Sequence, residues 1–167
     1  MSRNYAAGDW FAVPLYGGHG WALGLAARTR ARGHTVLGYF FGPRRDHQPT
    51  LADAKGLRPQ DAITTVVFSD LSLLDGRWPI LGRLPGWRRE DWPFPTLYRY
   101  EELTGDSYAA TYPTDEPDFR QMMETRISEL PLDWERRTSD SFGAGAVEKW
   151  LYRLLVLDPE RQKQVAH

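Results

Sequence analysis

Cysteine is absent from the 167 residues, which excludes a disulfide framework, a thiolate nucleophile and any cysteine-based zinc site, and suits a reducing compartment. Lysine is scarce, occurring only at Lys55, Lys149 and Lys163, so the positive charge is almost all arginine. No apolar run approaches the roughly 20 residues that a membrane span requires. The opening Met1-Ser2-Arg3-Asn4-Tyr5 also lacks the apolar stretch of a signal peptide. These absences lead us to expect a cytoplasmic protein with no membrane partner. Histidine is sparse as well: His19, His34, His47 and His167 share no metal-ligand spacing. No serine stands in a nucleophile-elbow pattern, and the neighbouring carboxylates Glu90-Asp91 and Glu101-Glu102 point to opposite faces if they lie on strands. The turn Gly17-Gly18-His19-Gly20 feeds a strand rather than a helix, so it does not form a phosphate loop. The expectation is therefore no catalytic residue, no metal and no cofactor.

What the chain does have is a change of hydrophobic period. Short apolar runs separated by Gly, Pro, Asn or Asp predict strands over Trp10–Leu15, Trp21–Arg28, Thr35–Phe41, Ile63–Phe68, Trp78–Leu81, Thr96–Tyr100 and Ser107–Tyr112. Gly17-Gly18-His19-Gly20, Arg32-Gly33-His34 and Asp75-Gly76 supply turns between them. Segments 44–60 and 84–95 read as loops, the second too rich in proline for a central strand. From Thr114 the period becomes helical. Thr114 or Asp115 can cap a helix with Pro117 in its first turn, whose stripe of Phe119, Met122, Met123, Ile127 and Leu130 ends at Pro131. A second helix is predicted from about Gly145 to Leu157 through Val147, Trp150, Leu151, Leu154 and Leu155. The length suits one domain spanning residues 1–167: β-rich over 8–112, helical over 114–157, with a polar tail over 158–167. The expected fold class is α+β, a strongly bent antiparallel sheet or partly closed barrel followed by two C-terminal helices that cover it.

A net charge of −1 conceals a gradient. Residues 1–60 carry eight basic against three acidic side chains, whereas residues 101–135 carry ten acidic side chains against Arg120 and Arg126. A field of one sign steers partners of the other. Within the basic part, Arg28, Arg30 and Arg32 alternate so as to share one face of a strand end, with Arg44 and Arg45 nearby. Beside Trp10, Trp21 or Tyr39 that patch supports an alternative function, a small β-barrel module binding nucleic acid by charge and stacking. The acidic later chain opposes it, so nucleic acid is not the expected partner. The aromatic and proline-rich segment from Trp78 through Trp87 to Trp92-Pro93-Phe94-Pro95 is expected to be mostly core.

Several segments occur in an order that carries a family resemblance. They are Gly8-Asp9-x-Phe11-x-Val13-Pro14-Leu15, Trp21-Ala22-Leu23-Gly24, Leu37-Gly38-Tyr39-Phe40-Phe41, Asp75-Gly76-Arg77-Trp78-Pro79-Ile80-Leu81-Gly82 and Trp92-Pro93-x-Pro95. Together they resemble the immunity protein 26 family of bacterial polymorphic-toxin systems over about the first hundred residues. Gly143-Ala144-Gly145-Ala146-Val147-Glu148-Lys149-Trp150-Leu151 is similar to that family's C-terminal helix. The resemblance implies a non-catalytic cytoplasmic antidote that binds a cognate toxin protein stoichiometrically. If that toxin is a nuclease, its phosphate-binding groove is basic, and an acidic surface can stand in for the polyanion. Glu101, Glu102, Asp115, Glu116, Asp118, Glu124 and Glu129 are the residues expected to form that partner-binding surface.

Overall fold

The computed structural model describes residues 3–112 and 122–158. Its strands are β1 (Asp9–Pro14), β2 (Trp21–Thr29), β3 (Thr35–Arg45), β4 (Thr64–Ser69), β5 (Ile80–Arg83), β6 (Leu97–Glu101), β7 (Asp106–Thr111), β8 (Met123–Ile127) and β9 (Ser141–Phe142). A single helical turn, α1 (Leu71–Leu74), follows β4, and the terminal helix α2 (Ala144–Tyr152) continues as a wider helical turn over Arg153–Leu157. Six strands form one open sheet in the order β5-β1-β2-β3-β4-β9, antiparallel except for β4 with β9. Strands β6, β7 and β8 form a second, antiparallel sheet. The architecture is α+β, mostly sheet, and bent: register shifts at Trp10/Phe11, Trp21/Leu23 and Ala26/Arg28 add local twist to the large sheet.

Alternation along the central strands explains why the large sheet is buried on both faces. Phe11, Val13, Ala22, Ala26, Val36, Phe40, Val66 and Phe68 point to one side, where Val147, Leu151, Leu154 and Leu155 of the terminal helix cover them. Trp10, Leu23, Leu25, Leu37, Tyr39, Phe41 and Val67 point to the other, against Trp92, Leu97 and Ala110. The result is helix on sheet on sheet, with a core on either side of the central layer. Two strand glycines make room on the helix side. A Cβ at Gly24 would fall 2.5 Å from ring carbons of Phe11, and one at Gly38 would fall 2.7 Å from Phe68. Phe11 in turn stacks on Trp78, with centroids 5.8 Å apart and planes 5° from parallel. On the opposite face Trp92 meets Trp10, Tyr39 and Phe41 edge-on, and the Tyr39 hydroxyl donates to the Pro93 carbonyl. The proline-rich loop is thereby pinned to the sheet.

The seven strands expected before Tyr112 are present, as is the terminal helix. The helix expected over 114–130 is not what the described part of that segment forms. Met123–Ile127 is β8, paired antiparallel to β7 with Ser107 opposite Ile127 and Thr111 opposite Met123. Met123-Glu124-Thr125-Arg126-Ile127 satisfies a period of two as well as a helical one, and its β-branched Thr125 and Ile127 favour the strand once an edge of β7 is on offer. The anticipated apolar stripe is not core either: Met122 and Met123 are exposed. The first half of the expected helix, and the polar tail beyond Asp158, lie outside the described residues. Strand β9, only two residues long, had no sequence signal.

A candidate partner-binding face

The small sheet gathers part of the anticipated acidic surface, but in a different arrangement. Along one face, Leu97 and Ala110 at the inner end are buried against the large sheet, while Arg99, Glu101, Asp106, Tyr108, Glu124 and Arg126 follow further out. Arg99 holds Glu124 by a fork: Nε donates to one carboxylate oxygen at 2.8 Å and Nη2 to the other at 2.7 Å. Its guanidinium lies 4.1 Å from the centroid of the Tyr108 ring, and Glu101 approaches Nη1 at 3.5 Å. The bond from Arg99 holds the Glu124 carboxyl below the usual carboxylate range, and the same bond pushes Arg99 up. Glu124 is therefore a bridge across the sheet, from β8 to β6, and not a free helical carboxylate. Arg126 faces Asp106 at 3.8 Å. Glu102, in the turn after β6, and Glu129, beyond β8, are exposed. Asp115, Glu116 and Asp118 lie outside the described residues.

The arginine row that suggested nucleic-acid binding is dispersed. The bulge at Ala26/Arg28 sets Arg28 opposite Leu37, on the face covered by the proline-rich loop. There it is only 2% exposed, donating to the carbonyls of Ala27 at 2.8 Å and Arg89 at 3.4 Å. Burial lowers its pKa to about 10, helped by the neighbouring charge of Arg89. Arg30 is half-buried and Arg32 is exposed. Arg44 pairs with Asp46 at 2.8 Å and Arg45 with Asp53 at 3.3 Å. Of the histidines, His34 hydrogen-bonds the buried carboxylate of Asp70 at 2.8 Å, which also accepts from Tyr5. His19 lies against Tyr152, and His167 is outside the described residues.

Among the described residues, two clefts flank the segment between β8 and α2, and neither was foreseen. The larger, about 370 Å³, lies between Tyr39 and Thr65 of the large sheet, Ile63 just before β4, Pro93 and Pro95 of the loop, and the Asp133–Arg137 ion pair. The smaller, about 210 Å³, is lined by Trp134, Phe142 and Trp150 together with Glu135, Asp140 and Arg153. Sequence reasoning passed over this segment because Trp134 and Phe142 belong to no periodic run; only Trp150 carried a signal, as part of the helix stripe. Thr64 ties the segment down, donating to the Arg136 carbonyl at 2.6 Å while accepting from the Trp150 indole at 3.1 Å. The Thr138 bridge to Tyr98 joins the same segment to β6. No helix among the described residues is long and apolar enough to cross a membrane.

No curated protein and no solved structure matches this chain. A protein family does: immunity protein 26 matches residues 6–108, from just before β1 into β7. The matched region contains the Phe11–Trp78 stack, the two glycines beneath aromatic rings and the Trp92 anchor, whereas β8, both aromatic walls after Pro131 and α2 lie beyond it. Since the match spans well over half of its length, the chain belongs to the immunity protein 26 family.

Proposed function

We propose that the chain neutralises a cognate toxin domain by direct, stoichiometric binding without catalysis, acting in the cytoplasm as one domain over residues 1–167. Family membership is the observation that carries this reading. The surface around the small sheet and the 131–142 segment supports it: acidic side chains, exposed Tyr100, Leu103, Met122 and Met123, and two clefts lie on elements anchored to a rigid core. Exposed apolar side chains rimmed by charge are the usual make-up of an interface. A nuclease with a basic substrate groove is the toxin class that the acidic rim fits best. The test is co-expression with the toxic domain encoded next to this gene. Protection of cells, together with a one-to-one complex recovered from the purified proteins and no turnover of toxin or substrate by the chain alone, is the expected outcome. Protection without any complex, or activity abolished by a single substitution, overturns the reading.

A further inference from the structure

We propose that the cleft between Trp134, Phe142 and Trp150 is a receptor for one arginine or lysine side chain of the toxin; this rests on the toxin-binding reading above. The walls come from three separately anchored elements. Trp134 opens a helical turn whose backbone bonds to Pro131, Phe142 is held in β9 opposite Phe68, and Trp150 is fixed by its indole bond to Thr64. At about 210 Å³ the space falls below the range of about 300–1,000 Å³ typical of small-molecule sites, which matches a single long side chain instead. Its chemistry selects a cation. Glu135 and Asp140 line the cleft, both are exposed, and neither has an ion-pair partner among the described residues. Among the described residues lining the cleft, the one cation, Arg153, is balanced by Asp158 at 3.6 Å. Arg153 also lies 5.7 Å from the Trp150 ring centroid, so that ring already accepts a guanidinium. Aromatic walls with two unpaired carboxylates beside them are complementary to a basic side chain, and a cleft that takes up such a group has the form of an interface hot spot.

The probe is N-acetyl-arginine methylamide, titrated into the full-length protein while the indole resonances of Trp134 and Trp150 are followed by NMR, with the uncharged N-acetyl-citrulline methylamide as control. Saturable shifts of both indoles by the arginine probe, at least tenfold weaker with citrulline and lost in Glu135→Gln/Asp140→Asn, are expected. The same double variant should bind the toxin at least tenfold more weakly and protect cells poorly. Equal shifts from both probes, or none, overturn the proposal. So does shifting that appears only in Arg161→Gln/Lys163→Gln, because the chain's own C-terminal segment is then the occupant. A double variant that binds the toxin and protects as well as the parent overturns the receptor while leaving toxin neutralisation intact; a parent chain that forms no complex with the toxin overturns both.

Discussion

Gly24 sits on β2 directly beneath the Phe11 ring, and the space a Cβ would need is already taken at 2.5 Å. Gly24→Ala must push Phe11 off Trp78 or bend the strand, an overpacking cost of about 1–3 kcal/mol. Phe11→Ala alone should cost about 3–5 kcal/mol, since it opens a cavity beside a fully buried Trp78. In the double variant the added methyl enters space that the ring has vacated, so the two losses should add to less than their sum. Urea unfolding of the four proteins measures that coupling. Glu124 makes a second residue-level prediction, one that concerns pH. Its carboxyl is held low in the folded state by Arg99, so the stability it contributes is present above the ordinary carboxylate range and is lost as pH falls through the lower folded value. The melting-temperature gap between the parent and Glu124→Gln should therefore be widest near neutral pH and close as pH falls through and below the ordinary carboxylate range. The pair is partly solvent-accessible, so the gap should be small and shrink in salt. Glu124→Lys should also lower the melting temperature by placing two cations together, which makes exposed Glu102 and Glu129 the cleaner carboxylates for testing toxin contact.

Among the elements, the connection from α1 to β5 and the terminal helix depend on each other. Glu148 of α2 is only 4% exposed, and Arg77, from the Asp75-Gly76-Arg77-Trp78 motif, donates to it at 2.7 Å. Arg77→Ala leaves a buried carboxylate without its counter-charge, which should cost about 1–3 kcal/mol. Adding Glu148→Gln should restore much of the loss, because a neutral amide needs no cation; thermal denaturation of the single and double variants tests this. Strand β8 shows the opposite dependence. Its residues are exposed or only partly buried, so hydrogen bonding to β7 rather than burial of a side-chain stripe holds it in place. A proline at Thr125, which lies opposite Ala109, should detach β8 and release Arg99 from Glu124 while leaving the large sheet folded. Amide exchange accelerated in β7 and β8 but unchanged in β2 and β3 is the expected result.

At the scale of the molecule, the charge gradient is real along the chain, but among the described residues it does not become two opposed faces. Arg28 is inside, Arg44 and Arg45 are paired locally, and Glu124 is bridged. Arg28→Glu should unfold the protein or sharply lower its melting temperature, because it buries a carboxylate among carbonyl oxygens, whereas Arg32→Glu should leave stability within about 0.5 kcal/mol. Loss of nucleic-acid binding in Arg28→Glu would therefore say nothing about a phosphate contact. The parent chain should give no shifted band with single-stranded DNA at physiological salt; submicromolar binding that weakens steeply with salt would restore the nucleic-acid reading.

Alternation of apolar residues and the placement of glycine were enough to reveal β1 to β7, and the stripe from Val147 to Leu155 revealed the terminal helix, because these elements are buried and each carries its period in its own residues. The family was legible for the same reason: its ordered motifs are the glycines, tryptophans and prolines that this core requires. Tertiary structure alone decided three things. Met123–Ile127 fits either period, and only the open edge of β7 selects the strand. Arg28 reads as exposed until a bulge in β2 turns it beneath the proline-rich loop. The cleft of Trp134, Phe142 and Trp150 draws on a turn, a two-residue strand and a helix, a convergence that no local pattern encodes.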